Sequence, residues 1–248
     1  MREILLVLLA LAMSTGAALG APGETVKYQI NGQPYEGFYI SPSKDAPLVV
    51  LIHDWDGLTE YEIKRAQMLA EMGYAVFAAD LFGAGVRPTE VTDKRQHTGE
   101  LYKDRQKMQT LMNGALDAAG ARGARVDNAV AMGYCFGGAA VLEWARSGAA
   151  LKGFATFHGG LKTPAGQNYT ATRGNILIMH GSADKAITLD QFAELAKELE
   201  TAGVNHEMIT YSGAPHAFTV FGSSRYQETA DKNSWKRFKD FLADTLRK

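Results

Sequence analysis

The sequence predicts an α/β fold, a mostly parallel sheet covered by helices on both faces with an antiparallel hairpin at its N-terminal end. Three observations predict it. Short continuous apolar runs alternate with segments whose apolar residues recur at helical spacing, the pattern of strands buried on both faces and joined by crossover helices. Two alternating segments flank Asn31-Gly32, a hairpin signal. A turn rich in glycine, Gly133-Tyr134-Cys135-Phe136-Gly137-Gly138, stands between an apolar run and a helical pattern.

The elements follow in order. Val26–Ile30 and Tyr35–Ile40 form the hairpin, and Pro47-Leu48-Val49-Val50-Leu51-Ile52 is a buried strand. Thr59-Glu60-Tyr61-Glu62 is a capping box, opening a helix with Ile63, Ala66, Leu69 and Ala70 on one face and Gly73 at its stop. Tyr74–Ala79 and Asn128–Met132 are strands, and the second leads through the glycine-rich turn into a helix reaching Arg146. Lys152–Phe157 and Asn175–Met179 continue the sheet. Thr188-Leu189-Asp190-Gln191 reads as a second capping box, with Leu189, Phe192, Ala196 and Leu199 directed inward and Gly203 after them. Glu207–Tyr211 is the last strand, and Trp235, Phe238, Leu242 and Leu246 mark a closing amphipathic helix.

One stretch departs from this alternation. From about Arg87 to Gly123 the chain is polar and helical in character, with Lys94, Arg95, Lys103, Arg105 and Lys107 outnumbering Glu100 and Asp104. It reads as a solvated helix face rather than as a segment over the site that attracts an anionic substrate.

The N-terminus reads as an export signal. Arg2 precedes an apolar run from Ile4 to Met13, and Ala18-Leu19-Gly20 supplies small residues for cleavage after Gly20. The run is well short of the roughly 20 residues a membrane-spanning helix requires. The expected product, residues 21–248, is one domain in the periplasm or outside the cell, within the range of about 200–250 residues that such domains reach. Hydrophobic residues make up 46% of the chain, enough for a large core. The formal net charge is −1, which excludes a basic footprint for nucleic acid or for an anionic membrane. A single cysteine has no partner for a disulfide, so Cys135 is either a buried filler or a reactive thiol.

Two further residues favour the reactive thiol. Gly133-Tyr134-Cys135-Phe136-Gly137 has the form of a nucleophile elbow, G-x-S-x-G with sulfur in place of oxygen. Small residues are needed on either side because a sharp strand-to-helix turn brings them together. The following helix directs its positive end at the sulfur, which favours thiolate. Asp184 lies just beyond one strand, in His180-Gly181-Ser182-Ala183-Asp184, and His216 beyond another, in Gly213-Ala214-Pro215-His216-Ala217-Phe218. Nucleophile, acid and base thus follow in the order of the α/β-hydrolase triad, each at the carboxyl end of a strand. His53, His158 and His180 are expected to pack or hydrogen-bond near the site, and His97 and His206 to be exposed. No spacing matches a metal-ligand motif, so neither metal nor other cofactor is expected.

The residues also resemble those of the dienelactone hydrolase family across nearly the whole expected product. The matching stretches are His53-Asp54-Trp55-Asp56-Gly57-Leu58, Gly73-Tyr74, Ala79-Asp80-Leu81-Phe82-Gly83, the Cys135 turn, Phe157-His158-Gly159-Gly160-Leu161, His180–Asp184 and His216-Ala217-Phe218-Thr219. Tyr226, Ala230-Asp231 and Ser234-Trp235 match the family's C-terminal part. The resemblance implies an α/β-hydrolase fold and a triad of Cys135, Asp184 and His216. It also implies an oxyanion hole from the backbone N–H groups of Trp55 and Phe136. It gives Asp54 the supporting place where the family usually has Glu. Members that hydrolyse dienelactone hold its carboxylate partly with an arginine four residues after the histidine. That position is Val220 here, so dienelactone itself is not carried over, and neutral lactones or aryl esters are expected to be hydrolysed at least as well as dienelactone. Arg225 and Tyr226 are the substitute candidates for substrate binding. The expected activity is hydrolysis of a small-molecule ester or lactone through a thioester. The alternative is a non-catalytic or redox-responsive protein that uses the same thiol to capture a ligand.

Overall fold

The computed structural model describes residues 22–246, so the expected signal segment lies outside the described residues. The hairpin joins β1 (Glu24–Ile30) to β2 (Gln33–Ile40). Asn31 and Gly32 both take positive φ, 51° and 77°, as the tight hairpin turn requires. Then come β3 (Pro47–Ile52), α1 (Glu60–Glu71) and β4 (Ala75–Ala79). The capping box at α1 is complete, Thr59 and Glu62 exchanging both of their bonds. Two consecutive helices, α2 (Val91–Lys103) and α3 (Arg105–Ala121), precede β5 (Arg125–Tyr134). The rest of the chain runs α4 (Phe136–Arg146), β6 (Gly153–Phe157), β7 (Asn175–Gly181), α5 (Leu189–Thr201), β8 (His206–Tyr211) and α6 (Glu228–Thr245).

The strands form one sheet in the order β1-β2-β4-β3-β5-β6-β7-β8. β3 to β8 are parallel, and β2 meets β4 antiparallel. The alternation of side chains along each strand divides the core into two layers. Leu48, Val50 and Ile52 of β3 pack with Met108, Leu111 and Met112 of α3 and Trp144 of α4. Val49 and Leu51 face the other way, against Ala66 and Leu69 of α1 and Phe238 and Leu242 of α6. No helix among the described residues is long and apolar enough to cross a membrane.

Three details depart from the sequence reading. Leu189 is 47% exposed; Leu199 is buried and Phe192 packs partly buried against the core as expected, and the residue that joins them is Leu195. The second capping box is half formed: Thr188 accepts the Gln191 N–H, but the Gln191 side-chain oxygen is buried without a partner. The polar stretch is also more than a solvated face. Asp104 ends α2 and caps α3 through the Lys107 N–H, and α3 buries Met108, Leu111, Met112, Ala115 and Ala119.

Candidate active site

β5 delivers the chain into a sharp turn at Cys135, whose φ of 51° and ψ of −111° lie where L-residues are rarely found. Such a conformation costs about 1–3 kcal/mol and persists only where its surroundings impose it. The surroundings here are backbone. A Cβ on Gly133 would stand 2.3 Å from Gly137 carbonyl atoms, and one on Gly137 would stand 2.3 Å from the Ile52 oxygen. The Cys135 N–H donates to the Phe157 carbonyl at 3.1 Å, fixing the turn to β6. The side chain makes no capping bond to α4, which leaves the sulfur projecting from the elbow.

The loop after β8 brings His216 to that sulfur. Its Nε2 is 3.1 Å from Cys135 Sγ, and its Nδ1 is 2.8 Å from Asp184 Oδ2. The Asp184 Oδ1 accepts the N–H groups of Ala186 and Ile187 at 2.8 and 2.9 Å, so the loop after β7 holds the carboxylate rigidly. The Ala183 N–H donates to the Ala214 carbonyl and so joins the two loops. Burial alone would lower the His216 pKa, but the bonds to Asp184 and Cys135 outweigh it and push the pKa up to about 10. Burial would likewise raise the Asp184 pKa, and the His216 bond with the two N–H groups brings it below its usual value. A charged Asp184 fixes the proton on Nδ1 and aims Nε2 at the sulfur.

Behind the imidazole lies a second histidine. The His158 ring meets the His216 ring edge to face at 5.3 Å, and its Nε2 is 2.8 Å from Thr219 Oγ1. Burial, and then the charge on His216, keep the His158 pKa well below the usual value. Tyr61 also bonds Thr219 Oγ1, and Arg65 donates to the Thr219 carbonyl and pairs with Asp231 of α6. The loop carrying His216 is thereby fastened to α1 and α6.

On the opposite side, the loop after β3 carries Asp54 and Trp55. His53 is neutral: Nε2 accepts the Leu81 N–H and Nδ1 donates to the Asp54 carbonyl, while burial lowers its pKa to about 4. Asp54 Oδ1 accepts the Asp56 N–H at 2.9 Å, and burial, followed by the charge of Asp56, raises the Asp54 pKa to about 6. The Asp54 N–H points to Glu62 Oε1 at 3.4 Å. Glu62 is fully buried, and that burial together with Asp54 raises its pKa to about 8. From α2, Lys94 pairs with Asp56 at 3.1 Å and lies 5.2 Å over the Trp55 ring. Phe136 is the first residue of α4, so its N–H is one of the donors left free of the helix ladder.

Cys135, His216 and Asp184 are therefore brought together as read from the sequence, with Asp54, Trp55 and Phe136 around them. Arg225 and Tyr226 are not part of this cluster: Arg225 is exposed on a turn, and the Tyr226 hydroxyl donates to Asp231. His97 and His206 are partly buried rather than exposed, His97 stacking on Phe82 at 5.2 Å. Sequence reasoning missed Glu62, which looks like an ordinary cap residue; it placed His158 near the site, and the partner it did not name is His216. Among the described residues no group of three or more His, Cys, Asp or Glu could hold a metal ion.

The dienelactone hydrolase family profile matches residues 35–246, from the second strand of the hairpin to the end of the last helix. The chain belongs to the dienelactone hydrolase family. A Methylorubrum extorquens protein provisionally named carboxymethylenebutenolidase is 23% identical over 208 residues, covering 79% of this chain and 71% of that protein. The crystal structure of a dienelactone hydrolase-like promiscuous phosphotriesterase from metagenomic libraries is 27% identical, with a TM-score of 0.84 over 91% of this chain and 99% of that one. Thermogutta terrifontis esterase 2, in a form phosphorylated by paraoxon, shares the fold at 17% identity and a TM-score of 0.66, over 91% of this chain and 96% of that one. As a dienelactone hydrolase family member, the chain is a hydrolase acting on carboxylic ester bonds.

Proposed function

We propose that this dienelactone hydrolase family member cleaves small esters or lactones through a thioester on Cys135, with His216 as acid and base and Asp184 as its orienting carboxylate. The observation that carries this reading is one imidazole bonded at both ends, to Asp184 at 2.8 Å and to the elbow sulfur at 3.1 Å. Cys135 attacks the carbonyl carbon as thiolate, its proton resting on His216. The carbonyl electron pair moves onto oxygen, which accepts from the Trp55 and Phe136 N–H groups. Each such donor typically contributes about 10²–10³ in rate. When the tetrahedral centre collapses, the C–O bond breaks and His216 Nε2 protonates the leaving alkoxide. Water then attacks the thioester as Nε2 accepts its proton, and the second collapse expels thiolate and releases the acid. Asp184 keeps the imidazole in one tautomer and stabilises its cation throughout.

The test is turnover of p-nitrophenyl acetate. The wild type releases many equivalents of nitrophenolate, and Cys135→Ala, folded by circular dichroism, releases none above background. Release stopping at one equivalent would favour a ligand-capturing thiol, and turnover by Cys135→Ala would overturn the mechanism.

A further inference from the structure

The α2 helix turns one charged residue inward. Lys94, Thr98 and Leu101 recur at helical spacing along one face, and Thr98 and Leu101 are the residues of this helix that are buried. The Thr98 hydroxyl donates to the Lys94 carbonyl at 2.9 Å. The Lys94 side chain is only 14% exposed, whereas Lys197 and Lys232 stand 75% and 70% exposed on their helices. A lysine so covered needs a partner for its charge. It finds one outside its own helix, at Asp56 Oδ1, 3.1 Å away. That oxygen is buried and receives no aligned hydrogen bond, so the ammonium is the charge that balances it. The same ammonium lies 5.2 Å from the centre of the Trp55 ring, close enough to be attracted to its face.

Trp55 and Asp56 form the tip of the loop after β3, and other elements hold the rest of that loop. The His53 ring accepts the Leu81 N–H at 3.1 Å, and Glu62 of α1 accepts the Thr59 N–H at 2.9 Å. Gly57, at a φ of 83°, lies so near the Val86 carbonyl that a Cβ would stand 2.8 Å from its oxygen. Between these anchors Asp54 Oδ1 accepts the Asp56 N–H at 2.9 Å, a tight turn around the Trp55 peptide. Lys94 meets that turn from α2, through the ring on one side and the carboxylate on the other. Its charge also reaches Asp54. Burial, and then Asp56, raise the Asp54 pKa, while Lys94 and His216 act against them. Lys94 thus offsets the repulsion between the two carboxylates that the turn brings together.

We propose that Lys94 is a positioning residue: its ammonium pins Trp55 and Asp56, and so holds the Trp55 N–H where the carbonyl oxygen of a reacting ester gains negative charge. The inference rests on the hydrolase reading above and adds to it a residue from outside the triad and its loops. An oxyanion donor matters most when the oxygen is charged, so displacing it lowers turnover more than substrate binding.

Steady-state hydrolysis of p-nitrophenyl acetate tests it. Lys94→Gln keeps the length of the side chain and removes its charge. Its kcat should fall by about tenfold with KM changed by less than about twofold, a smaller loss than the roughly 10²–10³ expected when one oxyanion donor is removed outright. Lys94→Arg keeps the charge and the attraction to an indole face, and should recover most of the loss. Asp56→Asn breaks the ion pair but keeps the N–H that Asp54 accepts. In that background Lys94→Gln should cost less than it does alone, because the two changes remove one interaction. Equal kcat in wild type and Lys94→Gln would overturn the proposal and leave the hydrolase reading intact. A loss that Lys94→Arg does not repair, or one of undiminished size in the Asp56→Asn background, would also overturn it, as general damage to α2. A wild type that turns over no ester would end the hydrolase reading and this proposal with it.

Discussion

The chemistry of the site turns on which of two opposed influences governs one imidazole. Burial pushes His216 towards neutrality, and two bonds push it the other way and win, carrying its pKa to about 10. Asp184 makes the first of those bonds, so its charge is the residue-scale determinant of the whole arrangement. Asp184→Asn preserves the shape and one acceptor, keeps the Ala186 and Ile187 N–H bonds available, and removes the charge that stabilises imidazolium. It should fold as the wild type does and lose turnover by up to about 10⁴, the loss seen when serine triads undergo the same exchange. Steady-state kcat on p-nitrophenyl acetate checks this, and a pH–rate profile should show the imidazole pKa displaced downward. An unaltered kcat with an unaltered profile would remove Asp184 from the mechanism.

At the scale of elements, the elbow depends on β5, α4 and the end of β3 approaching to backbone contact. Gly137→Ala places a Cβ 2.3 Å from the Ile52 oxygen and 2.4 Å from the His53 oxygen, neither of which can rotate away. The variant should lose about 1–3 kcal/mol or more of stability in denaturant titration, with activity lost as the elbow shifts. Gly99→Ala, in α2 with open space around the added methyl, should instead gain about 0.5–1 kcal/mol. A Gly137→Ala protein as stable as wild type would mean that the elbow tolerates displacement. This element was legible in the sequence because its constraints are local: two glycines at fixed spacing around Cys135, between an apolar run and a helix. Asp184 and His216 were legible for the same reason, each lying on a short loop at a strand's end. What could not be read were meetings between distant elements. Nothing local distinguishes Glu62 from a cap residue, tells that Thr219 receives Tyr61 and Arg65 together, or brings Lys94 to Asp56. The inward stripe of α5 was misplaced at Leu189 because periodicity at a helix's first residue does not say where the sheet ends.

For the whole molecule, the carboxyls near the site make stability depend on pH. Glu62 titrates at about 8 in the fold against an ordinary value of 4.5, and Asp54 at about 6 against 3.8. The native state therefore holds protons that the unfolded chain has released, and stability falls as pH rises. The Glu62 contribution is complete below its ordinary value and lost as pH passes through about 8. His216 acts in the same direction at higher pH, from 6.5 towards about 10. Asp184, with a lowered pKa, opposes them on the acid side, and His53, His158 and His180, whose pKa values burial lowers, oppose them up to their ordinary value of 6.5, so the fall belongs to the range above it. Thermal unfolding between about pH 7 and 9, above the range in which the buried histidines act, should show a falling Tm in the wild type and a shallower fall in Glu62→Gln, whose amide can still serve the Thr59 cap. Equal slopes would remove Glu62 as the cause. The ion pair of Arg65 with Asp231 has a different consequence, one of time rather than of equilibrium. Its partners are 166 positions apart in the chain, and the sulfur and imidazole of the site 81 apart. During synthesis the cysteine emerges long before the histidine, and the histidine before the helix that fastens its loop. Such distant closures come late in folding. A growing chain thus carries the proposed nucleophile without its proposed base until the loop after β8 has been made, and the two meet only when the molecule closes on itself.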